Sequence, residues 1–455
     1  MPNDPVPGLL GRATELLEAA LLRDGALPEF APDPDAEPGA MARILEEAAL
    51  RLRDNYPYFH PLYAGQMLKP PHPLARAAYA LAMTINPNNH ARDGGRASSV
   101  MEIEAVREIA AIFGWSRYVG HLTSGGTFAN LEALWICGQL IEAQGGNRRI
   151  VGSEQAHYTH RRISAVLRLS YGEIPTDTNG AMNLDALEAE LRKGDVGAVV
   201  ATLGTTAMGA VDPLDGIVEL KKRYGFRLHV DGAYGGYFRL ISEALDERVR
   251  RACLALGEAD SIVVDPHKHG LQPYGCGCVL FRDPAVGRFY KHDSPYTYFT
   301  SKELHLGEIS LECSRAGAAA VALWATHKLL PPVPGGAFAR RLEAGRRAAL
   351  ELDRRLRGDD RFEPLTAGGP DLDIVVWKMK AATVEDASRR AQQVFDACAA
   401  RGLHLALAQM PAEWFQPGAG AGAVTCFRSV LMKPEHEQWL DDIWNRLSAA
   451  CDEKK

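Results

Sequence analysis

The stretch Ser261-Ile262-Val263-Val264-Asp265-Pro266-His267-Lys268-His269-Gly270 decides the fold of this chain. Its short apolar run is typical of a strand buried inside a parallel sheet, and polar residues follow where the strand ends. Open α/β sheets bind their ligands at the carboxyl ends of strands. Desolvation beside such a strand favours the neutral lysine amine that attacks a carbonyl. Taken alone, however, the default interpretation of Lys268 is a surface lysine just past the end of a strand.

The surrounding sequence repeats this arrangement. From about Pro70 to Pro334 the chain alternates helical patterns with short apolar runs. This alternation predicts a parallel α/β sheet. The apolar runs that we interpret as strands are Val196 to Leu203, Phe226 to Val230, Ser261 to Val264 and Cys278 to Phe281.

Two smaller units flank the predicted sheet. Near the N-terminus, the helical patterns Leu9 to Leu22 and Met41 to Arg53 are separated by a spacer rich in Pro, Asp and Glu. Beyond the proline-rich stretch Pro331 to Gly336, a long helix, the apolar strand Asp373 to Lys378 and two further helices predict a small α+β domain. We therefore expect an N-terminal helical arm over residues 1–69, a large domain over 70–335 and a small C-terminal domain over 336–455.

The bulk properties exclude several classes of protein. The chain has 455 residues, 46% of them hydrophobic, which is typical of a globular protein of two or three domains. A formal net charge of -6 without a basic block argues against nucleic acid as a partner. No run approaches the roughly 18 apolar residues of a membrane span. Cys276 and Cys278 are too close for the usual zinc spacing, so we expect no metal, and a cytoplasmic protein with free thiols.

A turn of small residues, Thr123-Ser124-Gly125-Gly126-Thr127, leads into the helical pattern Leu131 to Ile141. Such a turn leaves backbone N–H groups open at a helix N-terminus, where a phosphate binds well. A tight turn with a Ser or Thr N-cap explains the same residues equally well. The turn is therefore a candidate phosphate site.

Two further segments carry candidate polar groups. The strand Phe226 to Val230 is followed by Asp231, whose carboxylate could pair with a protonated ring nitrogen or cap the next turn. Ala233, two residues on, would leave room for a flat ring. His157 could stack on a planar cofactor or act as an acid or base, although a lone histidine after a strand is more often structural.

In this order and spacing, the segments resemble the group II pyridoxal-5′-phosphate-dependent decarboxylases, which include aromatic amino acid, glutamate, diaminobutyrate and tyrosine decarboxylases. The resemblance implies pyridoxal 5′-phosphate (PLP) as cofactor. It also implies the aspartate aminotransferase-like fold type I, with a mainly parallel seven-stranded sheet in the large domain. The segments that match are Phe59 to Tyr63, Glu104, the Thr123 to Thr127 turn, His157, Thr202 to Thr206, Asp212-Pro213, His229 to Asp231, Asp265 to Lys268, Pro273 and Gly277.

The resemblance also implies roles for individual residues. Lys268 would form a Schiff base with PLP, and Asp231 would keep the ring nitrogen protonated. His157 and Ala233 would lie against opposite faces of the ring, and Asp212 would organise a turn near the site. Further cofactor contacts are expected from Ser124, Gly125, Gly126, Thr127, Thr206 and His267.

The stretch Tyr290 to Glu308 occupies the place of a mobile loop whose tyrosine protonates the substrate carbon in related decarboxylases. Tyr296 and Tyr298 are both candidates for that role. The Ser-Arg-x-Gly segment around Arg315 is similar to one found in archaeal-type tyrosine or aspartate decarboxylases, although Arg315 could equally be a structural residue at a helix start. Candidate substrate contacts are His60, Tyr63, His121, His269 and Arg315.

The resulting prediction is the PLP-dependent decarboxylation of an L-amino acid to an amine and carbon dioxide, by a homodimer with interlocked N-terminal arms. Gly232 and His269 depart from the usual family pattern, so the substrate stays open. An aldehyde synthase or a carbon–carbon lyase on the same scaffold is the alternative, because one fold hosts several chemistries. A non-catalytic PLP-binding protein is disfavoured because Lys268 and Asp231 are both present.

Overall fold

Seven strands form the larger sheet of the computed structural model, which describes residues 6–23, 25–28, 35, 37–143, 145, 149–291, 306–415 and 422–453. Their order across the sheet is β1-β7-β6-β5-β4-β2-β3. The pairings from β6 to β3 are parallel, whereas β7 runs antiparallel to both of its neighbours. The strands are β1 (Val119–Thr123), β2 (Arg149–Ser153), β3 (Tyr171–Ile174), β4 (Val196–Thr202), β5 (Arg227–Asp231), β6 (Ser261–Val264) and β7 (Gly277–Phe281).

This sheet confirms the predicted fold class. Every residue of β4, β6 and β7 is buried, as expected of apolar runs whose strands are covered on both faces. The register pairs Thr202 with Asp231 and Asp231 with Val263. The carboxyl ends of β4, β5 and β6 therefore meet at one edge, where the predicted polar residues come together.

The first two helices lie at the N-terminus, α1 (Val6–Leu21) and α2 (Pro38–Leu52), and neither contains a buried residue. Several of their large apolar side chains are well exposed, among them Leu16 at 73% and Leu45 at 69%. The predicted amphipathic patterns therefore form helices whose apolar faces are left largely uncovered in the single chain. Within the described ranges, no helix combines the length and apolar composition needed to cross a bilayer.

Helices between and beside the strands cover the large sheet. The core that they form with it includes Phe238, Ile262 and Leu228, all fully buried. The helices are α3 (Pro73–Met83), α4 (Arg96–Ile112), α5 (Gly126–Ala143), α6 (Thr159–Val166), α7 (Leu184–Leu191), α8 (Leu214–Tyr224), α9 (Glu247–Leu254), α10 (Leu306–Ile309) and α11 (Gly317–Leu329).

A second sheet of four antiparallel strands, in the order β10-β11-β9-β8, lies in the C-terminal part of the chain. Trp377 and Phe427 stack across it, with ring centroids 5.3 Å apart. The domain boundaries expected from the sequence stay a prediction. The elements are α12 (Ala337–Arg357), β8 (Phe362–Pro364), β9 (Ile374–Met379), α13 (Val384–Ala400), β10 (Ala406–Pro411), β11 (Ala423–Val430) and α14 (Leu440–Asp452).

Candidate active site

A cavity of about 430 Å³ lies at the carboxyl ends of β4, β5 and β6. Polar residues at the ends of β4 and β5 and just after β6 line its wall, namely Thr202, Asp231 and Asp265. Lys268 lines the same cavity. The parallel sheet thus brings the Asp231 carboxylate, at the end of β5, to the same place as the Asp265 carboxylate and the Lys268 amine, which follow β6.

Lys268 follows the end of β6 by four residues, and its side chain is 22% exposed. Its Nζ atom lies 3.1 Å from Oδ2 of Asp265. The other carboxylate oxygen, Oδ1, is buried and has no hydrogen-bond partner among the described residues. The lysine amine therefore lies at the cavity beside a carboxylate that can still accept a hydrogen bond.

Asp231, at the end of β5, accepts three hydrogen bonds from the described residues. Its Oδ1 accepts the backbone N–H of Ala233 at 3.1 Å. Its Oδ2 lies 2.8 Å from Nε2 of His160 and 3.3 Å from Nδ2 of Asn130. Burial by itself would raise the pKa of Asp231, but the hydrogen bond and charge of His160, aided by Lys268, bring the pKa well below its usual value. The carboxylate is therefore ionised at neutral pH.

The glycine turn before α5 holds an anionic group in this structure. The backbone N–H of Ser124 donates to both carboxylate oxygens of Glu312, at 2.9 and 3.1 Å. At Gly126, an added Cβ would lie 2.6 Å from Oδ2 of Asp265, so only glycine fits there without displacing that carboxylate. The turn therefore offers both the open N–H groups and the close backbone approach that a phosphate site needs.

Two histidines also line the cavity. His157 places its Nδ1 2.8 Å from Oγ1 of Thr159, and burial lowers its pKa. His267 donates from Nδ1 to the carbonyl of Cys276 at 2.8 Å, and burial also lowers its pKa. Both rings are therefore neutral at neutral pH, which suits His157 to stacking on a cationic ring better than a second positive charge would.

Comparison with known proteins identifies the class of cofactor that this geometry serves. The pyridoxal-dependent decarboxylase conserved domain matches residues 55–380. The chain belongs to the pyridoxal-dependent decarboxylase family. The predicted cofactor, PLP, and the predicted class of enzyme, a carboxy-lyase acting on an amino acid, are confirmed by this membership.

Individual relatives support the assignment over most of the chain. The L-tyrosine decarboxylase of Enterococcus faecium is 27% identical over 460 residues, which cover 79% of this chain and 75% of that protein. A probable L-tyrosine/L-aspartate decarboxylase of Methanothermobacter thermautotrophicus is 29% identical over 266 residues, or 58% of this chain and 70% of that one. Oryza sativa TDC, solved with PLP and tryptamine, has a TM-score of 0.78 at 18% identity and covers 100% and 99% of the two chains. This last likeness supports the fold.

The side chains of this family member fit PLP. The described residues that line the cavity include one amine for the cofactor carbonyl, and a glycine turn whose Ser124 N–H binds a carboxylate. They also include an ionised carboxylate to face a protonated ring nitrogen. The residues predicted to contact the cofactor all line the cavity, namely Ser124, Gly125, Gly126, Thr127, His157, Thr206, Asp231, Ala233, His267 and Lys268.

The candidate substrate contacts have other neighbours and are not among the residues that line this cavity. Tyr296 and Tyr298, the candidate proton donors, lie outside the described residues. The neighbours of the substrate candidates include Trp439 for His60, Tyr58 for Tyr63, Glu132 for His121, Asp373 for His269 and Glu102 for Arg315.

Sequence reasoning missed three residues of the site. Asp265 stands within the quoted stretch, next to a proline, and its position at the end of a strand was the available signal. Asn130 lies in α5, shortly after the glycine turn, and its nearness to that turn was the available signal. His160 gave no sequence signal, because its importance lies in its contact with Asp231, 71 residues away.

Proposed function

We propose that this enzyme decarboxylates an L-amino acid to the corresponding amine and carbon dioxide, with PLP held covalently by Lys268. The observation that carries the proposal is that Lys268 and an ionised Asp231 line one cavity. When bound, PLP withdraws electrons through its protonated ring from a bond at the substrate α-carbon. The chain must therefore attach the cofactor, keep the ring nitrogen charged and select the bond that breaks.

Attachment and charge are assigned to separate residues. Lys268 would hold the cofactor through its Nζ atom, and Asp265, 3.1 Å away, would accept a proton or hydrogen bond from that amine. Asp231 would face the ring nitrogen, because its lowered pKa keeps a negative charge there. His157 and Ala233 would lie against the two faces of the ring.

The remaining cofactor contacts would bind its phosphate and the ring substituents. The turn over residues 124–127 would bind the phosphate through its N–H groups, with His267 beside it. Thr206 would lie near the 3′-oxygen of the ring. Holding both ends of the cofactor fixes the ring plane, so that a substrate bound with its Cα–carboxylate bond perpendicular to the plane loses carbon dioxide rather than another group.

The first test is spectroscopic. Protein reconstituted with PLP should show an absorbance band at about 420 nm, typical of lysine-bound cofactor, and Lys268→Ala should lose it. The matched control is Lys222→Ala, which alters an exposed lysine paired with Glu219. A band that survives in Lys268→Ala would overturn the assignment of that lysine.

The reaction is tested with a panel of amino acids. Carbon dioxide and amine released in equal amounts, without hydrogen peroxide, would support the decarboxylase. Hydrogen peroxide formed in step with carbon dioxide would instead identify an aldehyde synthase, and cleavage without carbon dioxide would identify a lyase. Tyrosine and aspartate belong in the panel because relatives are named for them.

We further propose that the chain forms a homodimer through its N-terminal helices. Exposed leucines on α1 and α2, such as Leu16 and Leu45, would be buried against the partner. In analytical ultracentrifugation, a Leu16→Lys, Leu45→Lys double variant should dissociate at concentrations where the wild type is dimeric. An unchanged sedimentation coefficient would contradict this role of the helices.

We propose a cytoplasmic location because the cysteines are free thiols. All eight are free, and seven of them are buried. Free thiols in this number are typical of a reducing compartment. Localisation of a tagged chain by fractionation would test this proposal.

A further inference from the structure

His160 lies behind Asp231 as seen from the cavity. It belongs to the first turn of α6, is fully buried and is not among the residues that line the cavity. Its Nε2 lies 2.8 Å from Oδ2 of Asp231, whereas its Nδ1 is buried without a hydrogen-bond partner within the described part of the chain. Burying an imidazole is costly unless it is hydrogen-bonded, so the contact with Asp231 is the interaction that offsets this cost.

The second side-chain donor to Asp231, Asn130, is oriented by a chain of hydrogen bonds through His229. His229 is held neutral because burial lowers its pKa to about 3. Its Nε2 lies 2.8 Å from Oδ1 of Asn130, an acceptor, so Nε2 carries the proton and Nδ1 accepts from Ser261. The amide of Asn130 is therefore oriented with its Nδ2 toward Asp231.

The acceptor sites of Asp231 are nearly all used. An ionised carboxylate has about four of them. His160 and Asn130 use the two on Oδ2, and the backbone N–H of Ala233 uses one on Oδ1. No described residue uses the second site on Oδ1, and the Asp231 side chain lines the cavity.

We propose that His160 is a positioning residue, whose Nε2–H fixes the rotation of the Asp231 carboxylate so that the remaining Oδ1 site faces the ring nitrogen of PLP. This inference rests on the proposed role of Asp231. Among the described residues, the ionisable groups that interact with His160 are Asp231, His229 with its ring centroid 6.3 Å away, and His157 at the cavity. His229 is neutral and uses its Nε2 proton on Asn130, so it does not donate to Asp231.

Two substitutions separate the hydrogen bond from the volume of the ring. His160→Phe keeps a flat ring but removes the donor, whereas His160→Gln keeps an N–H near the position of Nε2. His160→Phe should weaken PLP binding to the apoprotein roughly tenfold, the effect of one hydrogen bond to a charged group. It should also lower kcat roughly tenfold, with KM changed less. His160→Gln should restore most of both.

The measurements are the Kd of the apoprotein for PLP by fluorescence quenching, the absorbance spectrum of the loaded enzyme, and kcat and KM. His436→Phe is the matched control, since His436 is an equally buried histidine of the C-terminal part with an unpartnered Nε2, and it should leave the Kd unchanged. A His160→Phe variant with wild-type Kd and spectrum would overturn the proposal. So would a His160→Gln variant as impaired as His160→Phe.

Two further results distinguish a failure of the role proposed for His160 from a failure of the role proposed for Asp231. If Asp231→Asn binds PLP and reacts like the wild type, the proposed role of Asp231 itself fails. If Asp231→Asn is impaired and His160→Phe is not, only the inference about His160 fails. Should His160→Phe not fold, ¹⁵N spectra of histidine-labelled apoprotein should show a protonated Nε2 of His160 that shifts in Asp231→Asn, and a bare Nε2 would overturn the proposal.

Discussion

Asp231 and Asp212 are both buried at the carboxyl edge of the large sheet, yet their environments shift the pKa values of the two carboxyl groups in opposite directions. Asp212 accepts the backbone N–H groups of Met182 and Thr202, each at 2.7 Å, and burial nevertheless raises its pKa to about 7. The pKa of Asp231 is lowered. The two backbone N–H groups thus do not offset the rise in pKa that burial causes at Asp212. At Asp231, the imidazole of His160 and the ammonium group of Lys268 do offset it. The carboxylate that lines the cavity keeps its charge, and the one that holds a turn does not need it.

The strongest test of this contrast is Asp231→Asn. It removes the negative charge opposite the ring nitrogen, and kcat/KM should fall roughly a thousandfold, as when a preorganised charge is removed from an active site. Asp212→Asn, assayed in parallel, should lower kcat/KM less than tenfold. Steady-state kinetics on the substrate found in the panel would measure both. Equal losses of kcat/KM in the two variants would show that the charge of Asp231 has no special role in the reaction.

The pH dependence of stability gives a second test at Asp212. Its pKa is raised from 3.8 to about 7 in the folded protein, so between those values the folded state binds more protons than the unfolded state. This contribution to stability is present below about pH 4 and is lost as the pH rises to about 7. The amide introduced by Asp212→Asn does not titrate. Between pH 4.5 and pH 7.5, the free energy of unfolding of this variant should therefore rise by about 2–4 kcal/mol relative to that of the wild type.

Urea unfolding of the apoprotein at the two pH values would measure this difference. Asp215→Asn is the control, because Asp215 is a partly exposed partner of Arg251 and should give no such trend. A wild type that gains stability over Asp212→Asn as the pH rises would mean that Asp212 is ionised in the folded state.

The smallest expected effect concerns a third carboxylate, that of the half-buried Glu312. Its side chain accepts the Ser124 N–H that we assign to the cofactor phosphate, so the two anions would compete. Glu312→Gln should therefore tighten PLP binding about threefold, since a neutral amide binds this N–H less strongly. Titration of the apoprotein with PLP would measure it, and Glu243→Gln, an exposed pair with Arg250, serves as control. Weaker binding would mean that Glu312 supports the turn.

Much of the site was predictable because strand ends are local features. The run Ser261 to Val264 is a strand with those same bounds, and Lys268 lies at the cavity. Asp231 ends β5, and the glycine turn begins α5. The side chains expected to contact the substrate were less predictable, because a histidine or arginine in the sequence does not reveal its neighbours. His121, for example, is an inward residue of β1 whose partner is the buried Glu132.

The sequence by itself determined the alternation of buried strands and helices, and with it the edge where the polar residues gather. This is possible because apolar periodicity and strand ends are written in consecutive residues. Only the tertiary structure decided that His160, on α6, would meet Asp231, on β5, and that Asn130 would be turned by His229. Those contacts depend on how a helix packs on a sheet, which fixes the distance between atoms that no local pattern relates. The charge of Asp231 is therefore a property of the fold, while its position at the end of a strand is a property of the sequence.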